Sequence, residues 1–439
     1  MNCMKIVIRN IIKNIMNNTM RNVTTSILKN TINMIRNIIL IIMVLLLITS
    51  STGCKSRFLP TRREIDDLQL VQVLGVDKSE ENPEEIMITL ASKRLTDGSS
   101  QNSDKTTEGH GSSGTKKALI ETARGKTIFE AIRNVQTHSD KTIFWGHTGY
   151  FLIGEEAAKE NINKFIDFIT RDHEFRIDAK IFIVKGSTAK ELMEEINKTE
   201  YFIYDKLTSL GKSLEFLSIS EEMKVSDLMR FFDIHHSSAR VPCIELVTRE
   251  NEKNAKIHDI DFYGYSIFKD LKLVGFIGRD ISRGVNFITN NITSSIIVVK
   301  DPLGQNISLE IIQSNTNVIP HFIGDTLKEI TIKVKVLSNL GEVQSQIEAI
   351  NENLIHYMEQ QQSEIIKKEI EDVIQLVLEL KSDCLEICDK IRVSRPIKWH
   401  KIENQWMEII STVKINVQVE SKIERTYELR EPSGYKGEN

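Results

Sequence analysis

A run of eleven apolar residues near the start of the chain decides where the remainder must fold. The run IILIIMVLLLI occupies residues 38–48, follows Arg36 and leads into small polar residues. A helix that crosses a bilayer needs about 20 apolar residues, whereas a secretory signal has a basic segment and an apolar core of about 7–15 residues. The pattern predicts a signal peptide over residues 1–53 and a body that folds outside the membrane.

Small residues lead from this run into a cysteine. The sequence Ser-Thr-Gly at residues 51–53 immediately precedes Cys54, which is the layout of a lipobox, where lipid is attached to the thiol and a peptidase cuts just before it. Acyl chains contribute about 0.8 kcal/mol per buried methylene, so two or three chains hold a protein on a membrane without a spanning helix. We predict lipidation at Cys54 and a lipid-anchored tether over residues 54–61. The alternative is an uncleaved anchor helix extended through residues 49–53, in which Cys54 has no role.

Charge is divided unevenly between the signal and the body. Residues 1–53 carry six Lys and Arg and no Asp or Glu, so the net charge of -4 for the whole chain leaves -4 - 6 = -10 for residues 54–439. A nucleic-acid binder needs a basic surface that displaces counterions from phosphates. The acidic body therefore argues against nucleic acid as a partner.

Hydrophobic periodicity predicts an N-terminal α/β domain over residues 62–205. Alternating or β-branched runs predict strands, and apolar residues three and four apart predict helices. The polar stretch over residues 96–115 has no large apolar residue and predicts a flexible loop. The predicted strands are residues 71–77, 86–92, 143–153 and 181–185, and the predicted helices are residues 127–135, 155–170 and a segment capped by Ser187 that ends at Ile196.

Residues 206–300 predict a smaller, β-rich middle domain. Residues 260–268 and 272–277 have the pattern of a hairpin, with which residues 296–299 are expected to pair.

A long amphipathic helix dominates the prediction for a C-terminal domain over residues 301–432. Its apolar stripe runs from Val343 to Leu380, with a phase slip at residues 360–362. A coiled-coil docking surface is one interpretation, but we favour a helix packed on an antiparallel sheet that ends with the alternating strand at residues 413–423. The predicted fold class is therefore α+β, with three mixed α/β domains in which sheets pack against helices.

Catalytic and metal-binding patterns are weak in this chain. The motifs GxSxG, HExxH and GxxxxGK[ST] are absent from the sequence, and GxGxxG occurs only at residues 109–114, inside the polar stretch, where no predicted strand immediately precedes it. His235 and His236 are adjacent and would diverge on a helix, so they could not easily share a metal. Cys384 and Cys388 are four apart on a predicted helix; apolar packing is favoured over a metal or redox pair, because no His or Asp cluster completes a zinc set. We predict no catalytic residue, no cofactor and no metal.

A series of longer stretches follows the cysteine in a fixed order. They are RREIDDL (residues 62–68), LGVDK (74–78), GKTIFEAIRN (125–134), FWGHTGYFLIGEEAAKENI (144–162), RDHEFRIDAKIFIVKG (171–186), GYSIFKDLKLVGFIGRDISRGVNFI (264–288), SDCLEI (382–387), WHKIENQWMEI (399–409) and VKINVQVESKIERT (413–426). Together they resemble one family, the lipoprotein C subunits of bacterial spore germinant receptors. The resemblance covers nearly all of the body.

The resemblance implies a three-domain α/β fold and a non-catalytic receptor component, held by lipid on the outer face of the spore inner membrane. It also implies two integral-membrane partners, of A type and B type, and a response to nutrient germinants. Two other classes share an export signal. A substrate-binding lipoprotein of a solute importer needs two βαβ lobes around a cleft, which the long helix and the final strand fit poorly. A secreted hydrolase needs a nucleophile and a base, for which no motif is present.

Overall fold

The chain divides into two units, Met1–Arg63 and Glu64–Asn439. The computed structural model describes the second unit over residues 65–93, 118–199, 201–234, 238–250, 256–344 and 351–425, and the first over residue 16 and residues 19–21, 28–29 and 31–45. Cys54, the polar stretch 96–115 and His235–His236 lie outside these residues.

The described part of the first unit is helical. Residues 31–45 form its longest stretch, and their side chains are exposed. Within the described residues, no helix has both the length and the apolar character needed to cross a membrane.

A nine-stranded mixed sheet organises the first part of the second unit. Its strands are β1 (Leu68–Lys78), β2 (Ile86–Ser92), β3 (Leu119–Gly125), β4 (Thr142–Phe144), β5 (Tyr150–Gly154), β6 (Lys180–Lys185), β7 (Ala239–Glu250), β8 (Lys256–Lys269) and β9 (Lys272–Gly278). The order is β3-β2-β1-β5-β6-β7-β8-β9, with β4 beside β1. The central strands β1, β5, β6 and β7 are parallel neighbours, and the outer pairs are antiparallel.

Helices cover both faces of this sheet, which explains why its parallel strands are almost continuously apolar. They are α1 (Ile128–Gln136), α2 (Glu155–Ala158), α3 (Asn163–Arg171), α4 (Ala189–Lys198), α5 (Ile203–Leu217) and α6 (Val225–Ile234). One face packs against α1, α2, α3 and α6, and the other packs against α4 and α5.

A four-stranded sheet with helices on one face forms the remainder. Its elements are α7 (Ser282–Thr289), β10 (Ser295–Lys300), β11 (Asn306–Ile323), β12 (Thr326–Val343), α8 (Glu352–Glu379), α9 (Ile387–Ser394), α10 (Pro396–Ile402), α11 (Trp406–Ile410) and β13 (Lys414–Arg425). The order is β10-β11-β12-β13. The apolar sides of β11 and β12 share one core with α7, α8 and the inward residues of β8 and β9.

The predicted fold class is confirmed, since two sheets and their helices make a mixed α+β protein. The prediction of a purely antiparallel C-terminal sheet is wrong, because β13 pairs in parallel with β12. The prediction that residues 296–299 join the β8–β9 hairpin is also wrong. These residues belong to β10, which pairs with β11 in the second sheet.

The long helix begins later than predicted and has no phase slip. Val343 lies on β12, where it pairs with Ile307, and the helix starts after Asn351, whose side chain accepts a hydrogen bond from the Leu354 amide. Gln362 is fully buried and donates a hydrogen bond to Ser338 Oγ at 2.8 Å. The buried face of the helix therefore continues through this glutamine, whose side-chain amide nitrogen has a polar partner on β12.

Three boundaries in the first sheet also differ from the prediction. The strand predicted over residues 143–153 is two strands, β4 and β5, and the helix predicted over residues 155–170 is two helices, α2 and α3. The residue that caps α4 is Thr188 rather than Ser187, since the Thr188 side chain accepts from the Glu191 amide at 3.0 Å.

The proposed division of the body into three domains remains a prediction. The boundary between residues 205 and 206 falls within α5, and β7, β8 and β9 continue the first sheet.

Candidate functional site

The carboxyl ends of β1, β5 and β6 meet at one edge of the first sheet, because these strands are parallel. In open α/β sheets this edge is the usual place for a ligand. A cavity of about 600 Å³ lies there. It is the first location to test for a functional site.

Asp77, at the end of β1, is the central polar residue of this crevice. Its side chain is 1% exposed, and its two oxygens accept hydrogen bonds from the backbone amides of Ala189 and Lys190 at 2.8 and 2.9 Å. These amides form the first turn of α4, which needs acceptors from outside the helix. Gly154 makes the close approach possible, because a Cβ there would lie 2.1 Å from Asp77 Oδ1.

The main polar groups of the crevice already have partners within the protein. Asp77 occupies the N-terminus of α4, and Glu155 accepts the Gly186 amide at 2.9 Å while pairing with Lys159. Glu80, Glu156 and Glu191 complete the acidic lining. An anionic ligand would meet repulsion here, and the helix terminus that could have bound it is already satisfied. This geometry fastens α4 to the sheet.

Asp77 gives a testable pH dependence of stability. Burial raises its pKa from 3.8 to about 6, against the opposing effect of the Lys190 and Ala189 amides. The stability that its protonation contributes is present below the unfolded-state pKa and is lost as pH rises through about 6. The asparagine variant Asp77→Asn does not titrate. As pH rises from 3.8 to above 6, its free energy of unfolding should therefore increase by about 3 kcal/mol relative to that of the parent chain, at about 1.4 kcal/mol per pKa unit.

Urea unfolding of both chains at acidic and neutral pH measures this difference. Asp167→Asn is the matched control, because Arg171 lowers the pKa of the exposed Asp167 carboxyl and the sign should reverse. An Asp77→Asn chain whose stability runs parallel to that of the parent at every pH would contradict the assignment.

A second polar cluster surrounds Arg240, which lies on β7 and is 2% exposed. Its Nε lies 2.9 Å from Glu221 Oε1 and its Nη1 lies 2.7 Å from Glu386 Oε1. Nη1 also donates to the Cys384 carbonyl at 3.0 Å. Burial lowers the pKa of the Arg240 guanidinium, but Glu221 and Glu386 outweigh it and raise the pKa above its ordinary value.

Residues 382–386, which contact Arg240, also form hydrogen bonds with several other segments. We call this segment the junction. Ser382 Oγ donates to the Phe268 carbonyl on β8 at 2.8 Å. Asp383 is 1% exposed and accepts from the Cys388 amide at 2.9 Å and from Trp406 Nε1 at 2.7 Å. Arg240 and the junction thus tie the first sheet to the helices that follow α8.

Cys384 lies in this junction, and Cys388 lies just after it on α9. Cys384 and Cys388 are both buried and, among the described residues, no disulfide involves them. The prediction that one helix carries both is wrong, because α9 starts at Ile387, after Glu386 has taken a φ of 61°. Burial raises the pKa of Cys384 to about 12, which disfavours the thiolate needed for metal binding or redox chemistry.

Sequence reasoning assigned no role to Asp77 or Arg240. Asp77 follows the apolar run of β1, and Arg240 stands between Ala239 and Val241 at the start of β7; a charged residue next to such apolar neighbours is the signal that could have indicated a buried partner. Within the described residues, no group of three or more His, Cys, Asp or Glu could hold a metal ion. The lipidation site predicted at Cys54 lies outside the described residues.

Two family descriptions match the chain in order. "Spore germination protein N-terminal domain" matches residues 61–246, and "Spore germination B3/GerAC like, C-terminal" matches residues 263–427. Arg240 lies in the first match and the junction in the second.

Similar proteins agree with these matches. Spore germination protein KC of Bacillus subtilis (strain 168) is 21% identical over 413 residues, which cover 90% of this chain and 97% of that protein. Spore germination protein B3 of the same organism is 24% identical over 374 residues, covering 82% and 92%. The crystal structure of the GerBC protein has a TM-score of 0.51 at 19% identity, covering 80% of this chain and 96% of that one.

The fold and the junction define a mixed α+β protein in which the buried Arg240 joins two regions through an ion pair with the partly exposed Glu386 and a hydrogen bond to the Cys384 carbonyl. The chain belongs to the GerAC-like family of spore germination proteins. The resemblance inferred from the sequence motifs is confirmed.

Proposed function

We propose that this chain is the lipid-anchored C subunit of a nutrient-germinant receptor. Lipid on Cys54 holds it on the outer face of the spore inner membrane, and it acts with the integral-membrane A-type and B-type subunits. Its role is to bind these partners and not to catalyse a reaction.

The observation that carries this proposal is the ordered match of both family descriptions, over residues 61–246 and 263–427. The use of the buried charges supports a non-catalytic role. Asp77 accepts hydrogen bonds from the first turn of α4. Arg240 pairs with two carboxylates and donates a hydrogen bond to a carbonyl. Both side chains are almost fully buried and hydrogen-bonded within the protein, so neither is free to act on a substrate.

A substrate-binding lipoprotein of a solute importer fits less well. That class places its ligand between two βαβ lobes. Here the four parallel neighbours β1, β5, β6 and β7 lie in one sheet, and the other sheet is an antiparallel meander of β10, β11 and β12 to which β13 adds in parallel. Tight binding of an amino acid or a sugar to this chain alone, measured by calorimetry, would favour the importer class instead.

Deletion of the gene tests the proposal. We expect spores without this chain to lose germination in response to nutrients, measured as the fall in optical density, because the receptor lacks a subunit. Germination triggered by calcium dipicolinate should continue, since it does not need nutrient recognition, and this serves as the control. Normal nutrient germination in a deletion strain that has no paralogue would overturn the proposal.

A further inference from the structure

At one end of the second sheet, the β11–β12 hairpin extends beyond the flanking strands β10 and β13. β10 pairs with β11 only over residues 306–311, and β13 begins its pairing with β12 at Glu329. The turn between β11 and β12, residues 323–326, therefore lies beyond both flanking strands. It is held from the side by α10, because Lys398 Nζ donates to the Gly324 carbonyl at 2.8 Å and Lys401 Nζ lies 2.8 Å from Asp325 Oδ2. We call residues 323–326 with residues 392–401 the basic tip.

Large aliphatic side chains at this tip face solvent. Ile397 is 78% exposed, and Ile323 and Val393 are each 72% exposed, the highest values for large hydrophobic residues in the described part of the chain. Ile397 precedes Lys398 and Ile323 precedes Gly324, so the hydrogen bond between these neighbours brings the two isoleucines to the same end of the molecule. Clustered exposure of this kind marks an interaction surface, whereas single exposed side chains are ordinary.

Positive charge surrounds these side chains. Residues 389–403 contain five Lys and Arg against two Asp and Glu, a net of +3, in a body that sums to -10. Arg392 pairs with Asp389 and Lys401 pairs with Asp325. Among the contacts of the described residues, Arg395 and Lys398 donate to the carbonyls of Ser394 and Gly324 and to no carboxylate. Lys398 Nζ also lies 4.9 Å from the centroid of the Phe322 ring, and neither side chain donates a hydrogen bond to a carboxylate in the described part of the chain, so both can bind an external anion.

We propose that the basic tip contacts an anionic lipid bilayer, with Ile323, Val393 and Ile397 entering the headgroup boundary and Arg395 and Lys398 binding lipid phosphates. Exposed aliphatic residues interleaved with Lys and Arg are the chemistry of an interfacial contact. The acidic remainder of the body is repelled by the same membrane, so this contact sets which end of the body faces the lipid. The inference rests on the proposed function, because a lipid anchor keeps the body near the bilayer.

A probe at the tip tests the contact in the mature, lipidated chain. Thr326→Cys places a thiol on the turn for an environment-sensitive fluorophore, while Cys243, Cys384 and Cys388 are buried. The labelled chain is reconstituted on vesicles of phosphatidylcholine, or of phosphatidylcholine mixed with an equal amount of phosphatidylglycerol. We expect a blue shift, and quenching by nitroxide lipids, on the phosphatidylglycerol vesicles only, both reversed by salt.

Charge reversal supplies the matched comparison. The double variant Arg395→Glu with Lys398→Glu should lower the ratio of lipid-bound to lipid-free basic tip on the phosphatidylglycerol vesicles roughly tenfold or more. The reason is that each cation near an anionic surface contributes to binding. Reversing two exposed charges on α3, Lys164→Glu with Arg171→Glu, should leave the ratio unchanged. Equal loss in the two double variants would refute a specific tip contact.

Flotation of the vesicles separates this inference from the proposed function. If the chain floats with both lipid mixtures but the probe never responds, the anchor holds and the tip proposal is wrong. If the chain does not float with either mixture, the lipid anchor itself fails. A probe that responds only when the integral-membrane subunits are present would make the tip a protein-docking surface and overturn the lipid assignment.

Discussion

Replacing Arg240 with alanine is expected to lower the free energy of unfolding by about 3–5 kcal/mol, the usual cost of removing one partner of a buried ion pair. The change leaves Glu221 and Glu386 without their cation and the Cys384 carbonyl without its donor. Urea unfolding followed by tryptophan fluorescence measures the loss. Because Trp399 and Trp406 lie beyond the junction, with ring centroids 5.2 Å apart, their signal reports on the helices that Arg240 holds.

Arg249→Ala is the matched control on the same strand. Arg249 also pairs with two carboxylates, those of Asp259 and Asp261, but its side chain is 52% exposed. Exposed ion pairs contribute about 0–1 kcal/mol, so this variant should be almost as stable as the parent chain. Similar losses in the two variants would show that Arg240 has no special structural role.

A triple variant distinguishes two causes of the lost stability, the unpaired carboxylates and the lost packing of the arginine side chain. Arg240→Met with Glu221→Gln and Glu386→Gln removes the cation together with both carboxylates. Replacing all partners of a buried ionic cluster is often nearly neutral, whereas removing one partner is costly. The triple variant should therefore be more stable than Arg240→Met alone. If it is no more stable, the unpaired carboxylates do not cause the penalty, which then lies in contacts that both variants lack, such as that with the Phe231 ring, which lies 5.0 Å from the guanidinium carbon.

Cys54→Ala is expected to move the protein from the membrane fraction to the soluble fraction of broken spores. The proposed lipid is attached at this thiol, and each acyl methylene contributes about 0.8 kcal/mol to membrane binding, so the unmodified chain has no comparable hold. Fractionation and metabolic labelling with a palmitate analogue measure the release. Nutrient-triggered germination should fall with it, because the proposed partners lie in the membrane.

Cys3→Ala is the control for this second prediction. Cys3 lies within the predicted signal peptide, residues 1–53, so its loss should change neither labelling nor membrane retention. If the Cys54→Ala chain remains on the membrane and the parent chain takes up no label, the alternative of an uncleaved anchor helix through residues 49–53 is correct.

Local patterns predicted several elements of this protein closely. The apolar spacing at residues 127–135 predicts α1, whose N-cap Thr127 accepts the Glu130 amide. The β8–β9 hairpin also follows from alternation and turn residues. Where prediction failed, local signals were ambiguous. Helix α5 was missed, since Gly211 interrupts its apolar stripe and lowers helix propensity.

The sequence by itself determined the α+β class, the acidic body and the family, because each depends on residue types, local spacing or motif order. Only the tertiary structure decided that β10 pairs with β11, that Asp77 binds α4 across 112 residues and that Arg240 reaches the Cys384 carbonyl across 144. The physical reason is that a local pattern shows which face of a segment is buried but not what covers it. The partner of a buried charge is chosen by the packing of distant segments, and that packing exists only in the folded chain.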